Sequence, residues 1–539
     1  MTMRLSVVIV LAMTGALGAA GQLEPGYVDP RPVLEAAAKA IGADQVRCVT
    51  MSGTGYAGML GQQRTSGVNV DWPRSDPLTN YSRTMNWDAG TMVEAFDRKP
   101  GLYPASWKWG ARYIGGTPTA KNSRQLFQVN GKLAWSMDGA TGAPVPMTPD
   151  AAERMQLELW MNPHGFLKLA RRPGANPVAA WRWELGEMGR DGPEVMPYKV
   201  TVVAITVLGK YRVDATINPQ NMLQRIHTYV ADPVLGDLNY EHEWTDDSYA
   251  DAGGGIRVPT VWHHHEGFDD NFQSQSITAG HNAFGGQFKT VTANACGDAL
   301  TVPDSVRQAT FPTRVETSKL AEGVWLLGGA SHNSVAVEFA NYVAVVEAPL
   351  DEKRSLAVIQ EIVKLVPSKP IRFVVNTHQH FDHLGGIRTY MHVGATIITN
   401  WRNMEFYTRD VLSYDKRTVE PDMVSLWPPT ELAEGYQYET VRENYVLSDG
   451  KRNMNIFYVQ PLQHAEGMLM AYLPTERILV EADLFDTHEP PPAVPTPAMT
   501  TLMRNVTTLK LEPSQLVPIH GRPVPWIDFM KAMGNKSQQ

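Results

Sequence analysis

Residues 377–386 read Thr-His-Gln-His-Phe-Asp-His-Leu-Gly-Gly. His378 and His380 stand two apart. On extended backbone both imidazoles point the same way and can chelate one cation. Asp382 and His383 fall where the chain turns toward a following helix, within reach of a second position nearby. Gly385-Gly386 permits the close turn. Three histidines and a carboxylate in so short a run suit a borderline metal such as zinc. Four groups do not close two sites, so more ligands are expected downstream. The candidates are His464 in Gln463-His464-Ala465-Glu466-Gly467, Asp483 in RILVEADLF, and His520 before Gly521 in QLVPIHGR. Each sits where an apolar run gives way to a loop, so one rim of a sheet can collect them all.

The elements that must position these groups are legible around them. VWLLGG, SVAVEFA and YVAVVEAPL are successive β-rich runs. In SLAVIQEIVKLVPSKP, Ile359, Ile362, Val363 and Val366 keep helical spacing, and Pro367 ends the pattern, which predicts an amphipathic helix. IRFVVNT reads as a buried strand. Strand, helix and strand in this order predict an α/β layered fold.

Together these residues resemble the metallo-β-lactamase superfamily. The resemblance covers roughly residues 315–535 and rests on the order and spacing of His378-x-His380-x-Asp382-His383, His464 with Gly467, Asp483, and His520 before Gly521. SHNSVAVEFANYVAVVEAP also looks like the family's opening strands, with Glu347 where an Asp is more usual. The resemblance implies an αββα sandwich with a two-metal centre at one edge. It implies two zinc ions per chain, the first held by His378, His380 and His464 and the second by Asp382, His383 and His520. Asp483 is expected to bridge them, and Asp382 to orient the nucleophile, a hydroxide shared by the metals. Gln379 replaces the acidic residue of diiron flavoprotein relatives, and no Cys stands near Asp483, so the thiolate-ligand lactamases are not matched. The expected activity is zinc-dependent hydrolysis of an ester, lactone, thioester or lactam. The alternatives are a true β-lactamase and a mononuclear iron, sulfur-oxidising relative. His332, Asn333 and His488 are candidates to line the pocket, and His392 is expected to pack inside. The aromatic segment 401–450 is a candidate lid or substrate wall.

Composition bounds the rest. The 539 residues, 43% hydrophobic and 19% charged, can bury sizeable cores. At roughly 150 residues per domain, the length alone would suggest three or four units. The motifs instead divide the chain into a signal peptide over 1–20, a β-rich first half over 22–300, and the catalytic unit over 315–535. A net charge of −8 argues against a nucleic-acid partner, and the resemblance implies a small-molecule or polymer-derived substrate. Arg4, then an uncharged apolar run to Ala20 ending in small residues, predicts cleavage and export to the periplasm or medium, with no membrane span afterwards. Cys48 and Cys296, the only cysteines, can form one disulfide there or remain buried thiols. In the first half, residues 32–42 and 151–172 predict helices, and Asn130-Gly131 predicts a hairpin. The rest reads as short strands, an open sheet or partial barrel that could serve as a binding module or as a cap on the active-site mouth. His263 and His265 can share one strand face. Oligomeric state is not legible.

Overall fold

A computed structural model describes residues 26–58, 60–64, 66, 78–98, 123–185, 197–267, 281–415, 417–428, 435–461, 464–488 and 490–534. The expected signal peptide lies outside the described residues. Among the described residues no helix is long and apolar enough to cross a membrane.

Among the described residues the first half builds a sheet of 14 strands, running from Tyr27–Val28 to His281–Ala293 in sequence with every neighbouring pair antiparallel, and a small two-stranded sheet of Tyr249–Asp251 and Arg257–Pro259. The Asn130-Gly131 signal becomes the hairpin between Ser123–Asn130 and Leu133–Asp138, with Gly131 at φ 57°. The helical stretch expected over 151–172 is two helices, Pro149–Trp160 and Pro163–Ala170. Asn162 divides them: its Oδ1 accepts from Gly165 N at 2.9 Å and caps the second helix, whose first residue is Pro163. Cys48 and Cys296 are bonded, Cα atoms 5.4 Å apart, which joins strand Cys48–Ala57 to the segment that leaves the sheet after Ala293.

The described residues of the second half form two sheets. One holds seven strands between Glu316 and Val441, the other six between Asn444 and Pro525. Alternation within their strands shows how they stack. Val335, Val337, Ala344, Val346 and Ile398 of the first sheet join Ile456, Leu469, Ala471, Val480 and Val517 of the second in one core between the sheets. The intervening residues face outward onto helices. Val343, Val345, Val374 and Ile397 meet Val358 and Ile362 of helix Glu352–Leu365. Met470, Leu479 and Leu516 meet Leu502 and Val506 of helix Pro497–Thr508. The order helix, sheet, sheet, helix is the expected αββα sandwich. Helix Glu352–Leu365 is capped by Asp351, whose carboxylate accepts from Arg354 N at 2.7 Å. Its buried stripe differs from the expected one: Val358, Ile362 and Val366 are buried, while Val363 is 53% exposed. The stripe follows i, i+4, i+8, which keeps one row on the curved sheet.

Candidate metal centre

Ligand candidates gather where the strands of both sheets run out. His378 and His380 follow strand Ile371–Val375, and His464 lies between strands Asn453–Tyr458 and Leu469–Leu473. Asp483 follows Ile478–Glu481, and His520 follows Gln515–Pro518. Asp483 has left-handed backbone, φ 60°, a conformation costly for a residue with a Cβ and kept only where its surroundings dictate it. Gly467, φ 75°, is required sterically: a Cβ there would meet Asn403 Nδ2 at 2.5 Å.

The residues form two adjacent groups, in each of which one ligand atom per residue lies within 4.8 Å of the others. One is His378, His380, His464 and Asp483; the other is His332, Asp382, His383 and His520. Asp483 stands between them. Its Oδ2 is 3.2 Å from His378 Nε2, 3.2 Å from His383 Nε2 and 2.7 Å from His464 Nε2, while Oδ1 is 2.7 Å from His520 Nε2. His383 Nε2 and His520 Nε2 are 3.2 Å apart.

The donor set fits metal ions. His378 Nε2, His380 Nδ1 and His464 Nε2 are buried; the first and last face Asp483 Oδ2, and His380 Nδ1 makes no hydrogen bond. The opposite ring nitrogens are engaged. His378 Nδ1 meets Thr377 Oγ1 at 3.0 Å, His380 Nε2 meets Gln63 O at 3.2 Å, and His383 Nδ1 meets Glu347 Oε2 at 2.7 Å. Such outer contacts fix the tautomer and present the inward lone pair to a cation. Burial pushes the His378 imidazole down to about 4, so it is neutral and able to ligate at physiological pH. Burial and the neighbouring His378 and His464 lower His380 as well. At Asp382 and Asp483 burial opposes ionisation, but His383 and the other imidazoles outweigh it and hold both carboxylates well below their usual range.

Glu347 ties the centre to the sheet. It follows strand Val343–Val346 at φ 76° and is fully buried. Its Oε1 accepts from Asn376 Nδ2 and Thr377 N, each at 2.8 Å, and its Oε2 from Thr377 Oγ1 at 2.7 Å and from His383 Nδ1. With its hydroxyl proton given to Glu347, Thr377 Oγ1 must accept from His378 Nδ1, which leaves the His378 Nε2 lone pair facing inward. Tyr407 supports the same loop from below, its hydroxyl donating to Asn376 Oδ1 and, at 3.1 Å, to His378 O.

The pocket candidates separate. His332 does more than line a wall: its Nε2 is 3.1 Å from Asp382 Oδ2 and its ring centroid is 4.1 Å from that of His520. Asn333 is buried and supports the rim instead, donating to Pro518 O at 3.1 Å and Gly521 O at 2.6 Å. His488 pairs with Asp486 at 3.1 Å, and its ring centroid lies 6.4 Å from that of His520. It borders a cavity of about 780 Å³ lined also by Phe485, Pro490, Arg522 and Lys531. Segment 401–450 does not line that cavity. Tyr407 is buried under the ligand loop, and Trp427 and Tyr436 border a separate space of about 280 Å³ beside His392. Sequence reasoning missed Gln62, whose Nε2 donates to Asp382 Oδ1 at 2.8 Å across 320 residues of chain.

Two clusters in the first half differ from this centre. Glu158, His242 and His264 are close enough to share an ion, yet they are already satisfied. Trp262 Nε1 donates to His242 Nδ1 at 2.7 Å, His242 Nε2 meets Glu158 at 2.9 Å, and His264 Nε2 meets Glu266 at 2.8 Å. Glu243, His263 and His265 also converge, with His263 and His265 on one strand face as expected, but Arg225 lies beside Glu241 and Glu243 and offsets that charge.

Residues 327–410 match the family model described as "Metallo-beta-lactamase superfamily". Among curated proteins, none matches the chain. Similar solved structures include a metallo-beta-lactamase from Pontibacter korlensis, 14% identical with a TM-score of 0.32, the match covering 42% of this chain and 100% of that one. A metallo-beta-lactamase from Hirschia baltica is 18% identical with a TM-score of 0.30, covering 41% of this chain and 95% of that one. The flavodiiron protein from Giardia intestinalis is 16% identical with a TM-score of 0.31, covering 42% of this chain and 59% of that one. The matched span contains His332, His378, His380, Asp382 and His383, so the likeness to the metallo-beta-lactamase superfamily falls on the ligand motif of the second half and agrees with the αββα layering around it.

Proposed function

We propose that the protein is an exported hydrolase with two zinc ions, acting on an ester, lactone, thioester or lactam. The observation that carries this reading is the convergence of imidazole and carboxylate ligand atoms in two adjacent groups around Asp483. His378, His380 and His464 would hold one ion, and Asp382, His383, His520 and His332 the other, with Asp483 between. When bound, zinc supplies Lewis acidity and a nucleophile available at neutral pH.

The chain's own residues supply the rest. Asp382 is ionised, with Oδ1 fixed by Gln62 and Oδ2 facing His332. It orients the attacking water. The cavity beside His488 falls within the roughly 300–1,000 Å³ typical of small-molecule sites. Arg522, exposed and two residues from His520, suits a substrate that carries a carboxylate. The bonded Cys48 and Cys296 support an oxidising compartment, as the apolar leader does.

The test is metal content of the purified full chain together with turnover on ester, lactone, thioester, phosphodiester and chromogenic cephalosporin substrates. Two equivalents of zinc, and activity lost in His380→Ala and Asp382→Ala, are expected. Less than one equivalent of transition metal, or full activity in both variants, overturns the proposal. Turnover of the cephalosporin above all others would make the protein a β-lactamase.

A further inference from the structure

The loop Gly61–Arg64 of the first half lies across the ligand motif of the second. Phe381 N donates to Gly61 O at 3.3 Å, and Glu466 N donates to Arg64 O at 2.6 Å. Gln379 Nε2 reaches Gln63 O at 3.2 Å and Arg64 O at 2.8 Å. The loop therefore grips the chain on both sides of the first group, beside His378–His380 and just beyond His464. Gln63 is 3% exposed. Gly61 has left-handed backbone, φ 72°, and a Cβ there would stand 2.2 Å from the Phe381 ring, so the seat admits no side chain.

Two contacts reach the proposed ligands. Gln63 O is a carbonyl and can only accept, so His380 Nε2, 3.2 Å away, carries the ring proton. That leaves the lone pair on His380 Nδ1, the buried atom without a hydrogen bond. Gln62 Nε2 donates to Asp382 Oδ1 at 2.8 Å, which directs Oδ2 toward His332. One loop thus sets the tautomer of a ligand in the first group and the rotamer of a ligand in the second.

We infer that residues 61–64 are a built-in support of the metal centre, with Gln62 a positioning residue acting through Asp382, so that the first half is a working part of the active site and not a separable module. This rests on the two-metal reading.

The experiment compares the full-length chain with Gln62→Ala and Gly61→Ala. Zinc affinity is read by competition with a chromophoric chelator, and ligand geometry by the visible spectrum of the cobalt-substituted protein. Loss of outer contacts of this kind costs about 10–100-fold in metal affinity. Gln62→Ala is expected to weaken one equivalent by that factor and to shift the cobalt bands, and Gly61→Ala to weaken both. Far-UV circular dichroism checks folding. If Gly61→Ala does not fold, Gln62→Ala decides, because Gln62 is partly exposed and contributes nothing to a core. Two equivalents in the wild type, with both variants within twofold of it and cobalt spectra unchanged, overturn this inference alone. A wild-type chain holding less than one equivalent overturns the two-metal reading and this inference with it.

Discussion

Replacing Glu347 tests the physical logic of the centre without relying on any bound ion. Its carboxylate accepts four hydrogen bonds at 2.7–2.8 Å and is fully buried. Burial would keep it protonated, but His383, His378 and Thr377 N lower its pKa, so it is an anion among donors. Hydrogen bonds to a charged group contribute about 1.5–3 kcal/mol each, and a buried donor stranded by truncation costs about 1–3 kcal/mol. Glu347→Ala strands Thr377 N, Asn376 Nδ2 and His383 Nδ1. Part of that cost is offset because a buried charge no longer needs desolvating. Non-additivity brings the expected loss to about 4–5 kcal/mol, a large share of the roughly 5–15 kcal/mol that holds a domain folded. Glu347→Gln keeps the volume and one acceptor oxygen but turns an NH₂ toward donors, so about 2–3 kcal/mol is expected. The measurement is urea unfolding of the metal-free chain in excess chelator, following the transition of the second half. Losses below about 1 kcal/mol in both variants would mean that these contacts are incidental and that the tautomers of His378 and His383 are set by something else. With metal present, both variants should also bind zinc about 10–100-fold more weakly.

Other expectations follow from particular contacts. His332→Ala should weaken one zinc equivalent by at least about tenfold and leave the other near wild type, because His332 meets Asp382 and His520 but not the first group; equal weakening of both in a metal titration would refute this. His164 is buried against Trp87, and burial lowers its imidazole to about 4. The folded state therefore excludes a proton that the unfolded chain binds below about 6.5, so stability is complete above that pH and falls by up to about 3 kcal/mol as pH drops toward 4. Urea midpoints at pH 7 and 4.5 should differ less in His164→Phe, and an unchanged difference would count against the assignment. Reducing the Cys48–Cys296 bond, which spans 248 residues, should lower the first half's stability by about 3–5 kcal/mol, read as a drop in its melting temperature.

The metal centre was legible where its parts are local or where sheet topology makes distant parts equivalent. His378, His380, Asp382 and His383 fall within one turn of chain, so backbone geometry alone brings them together. His464, Asp483 and His520 are far apart in sequence, but each follows a strand, and strands of one sandwich end on a shared rim. That rule is general enough to read from apolar runs and the residues just past them. His332 precedes its strand, Ser334–Glu338, and reaches the same rim because that strand is antiparallel to its neighbours and Asn333 N pairs with Ile519 O at 2.9 Å. A histidine before an apolar run gives no signal of that kind, and its part in the second group became visible only in three dimensions.

The first half's contribution was illegible for a stronger reason. Gly61-Gln62-Gln63-Arg64 has no periodicity, no charge pattern and no ligand type, and four of its contacts with the motif are made by backbone carbonyls, which every residue carries. What makes the loop specific is shape: a left-handed glycine where the Phe381 ring leaves no room for a Cβ, and a sheet that delivers strand Cys48–Ala57 to the edge of the sandwich. Chemistry that depends on a lone pair's direction can thus be set by a carbonyl more than 300 residues away, and residue type records only the ligand and not the group that aims it. The same holds within the second half, where Glu347 aims two imidazoles from a position whose sequence shows only a carboxylate after an apolar strand. A variant series that alters only the aiming groups, Gln62 and Glu347, while leaving all eight proposed ligands intact therefore separates possession of a metal-binding set from its organisation. If organisation matters as the hydrogen bonds indicate, Gln62→Ala and Glu347→Gln in one chain should weaken the second group more than the two separate effects added together, since both act on the Asp382–His383 pair.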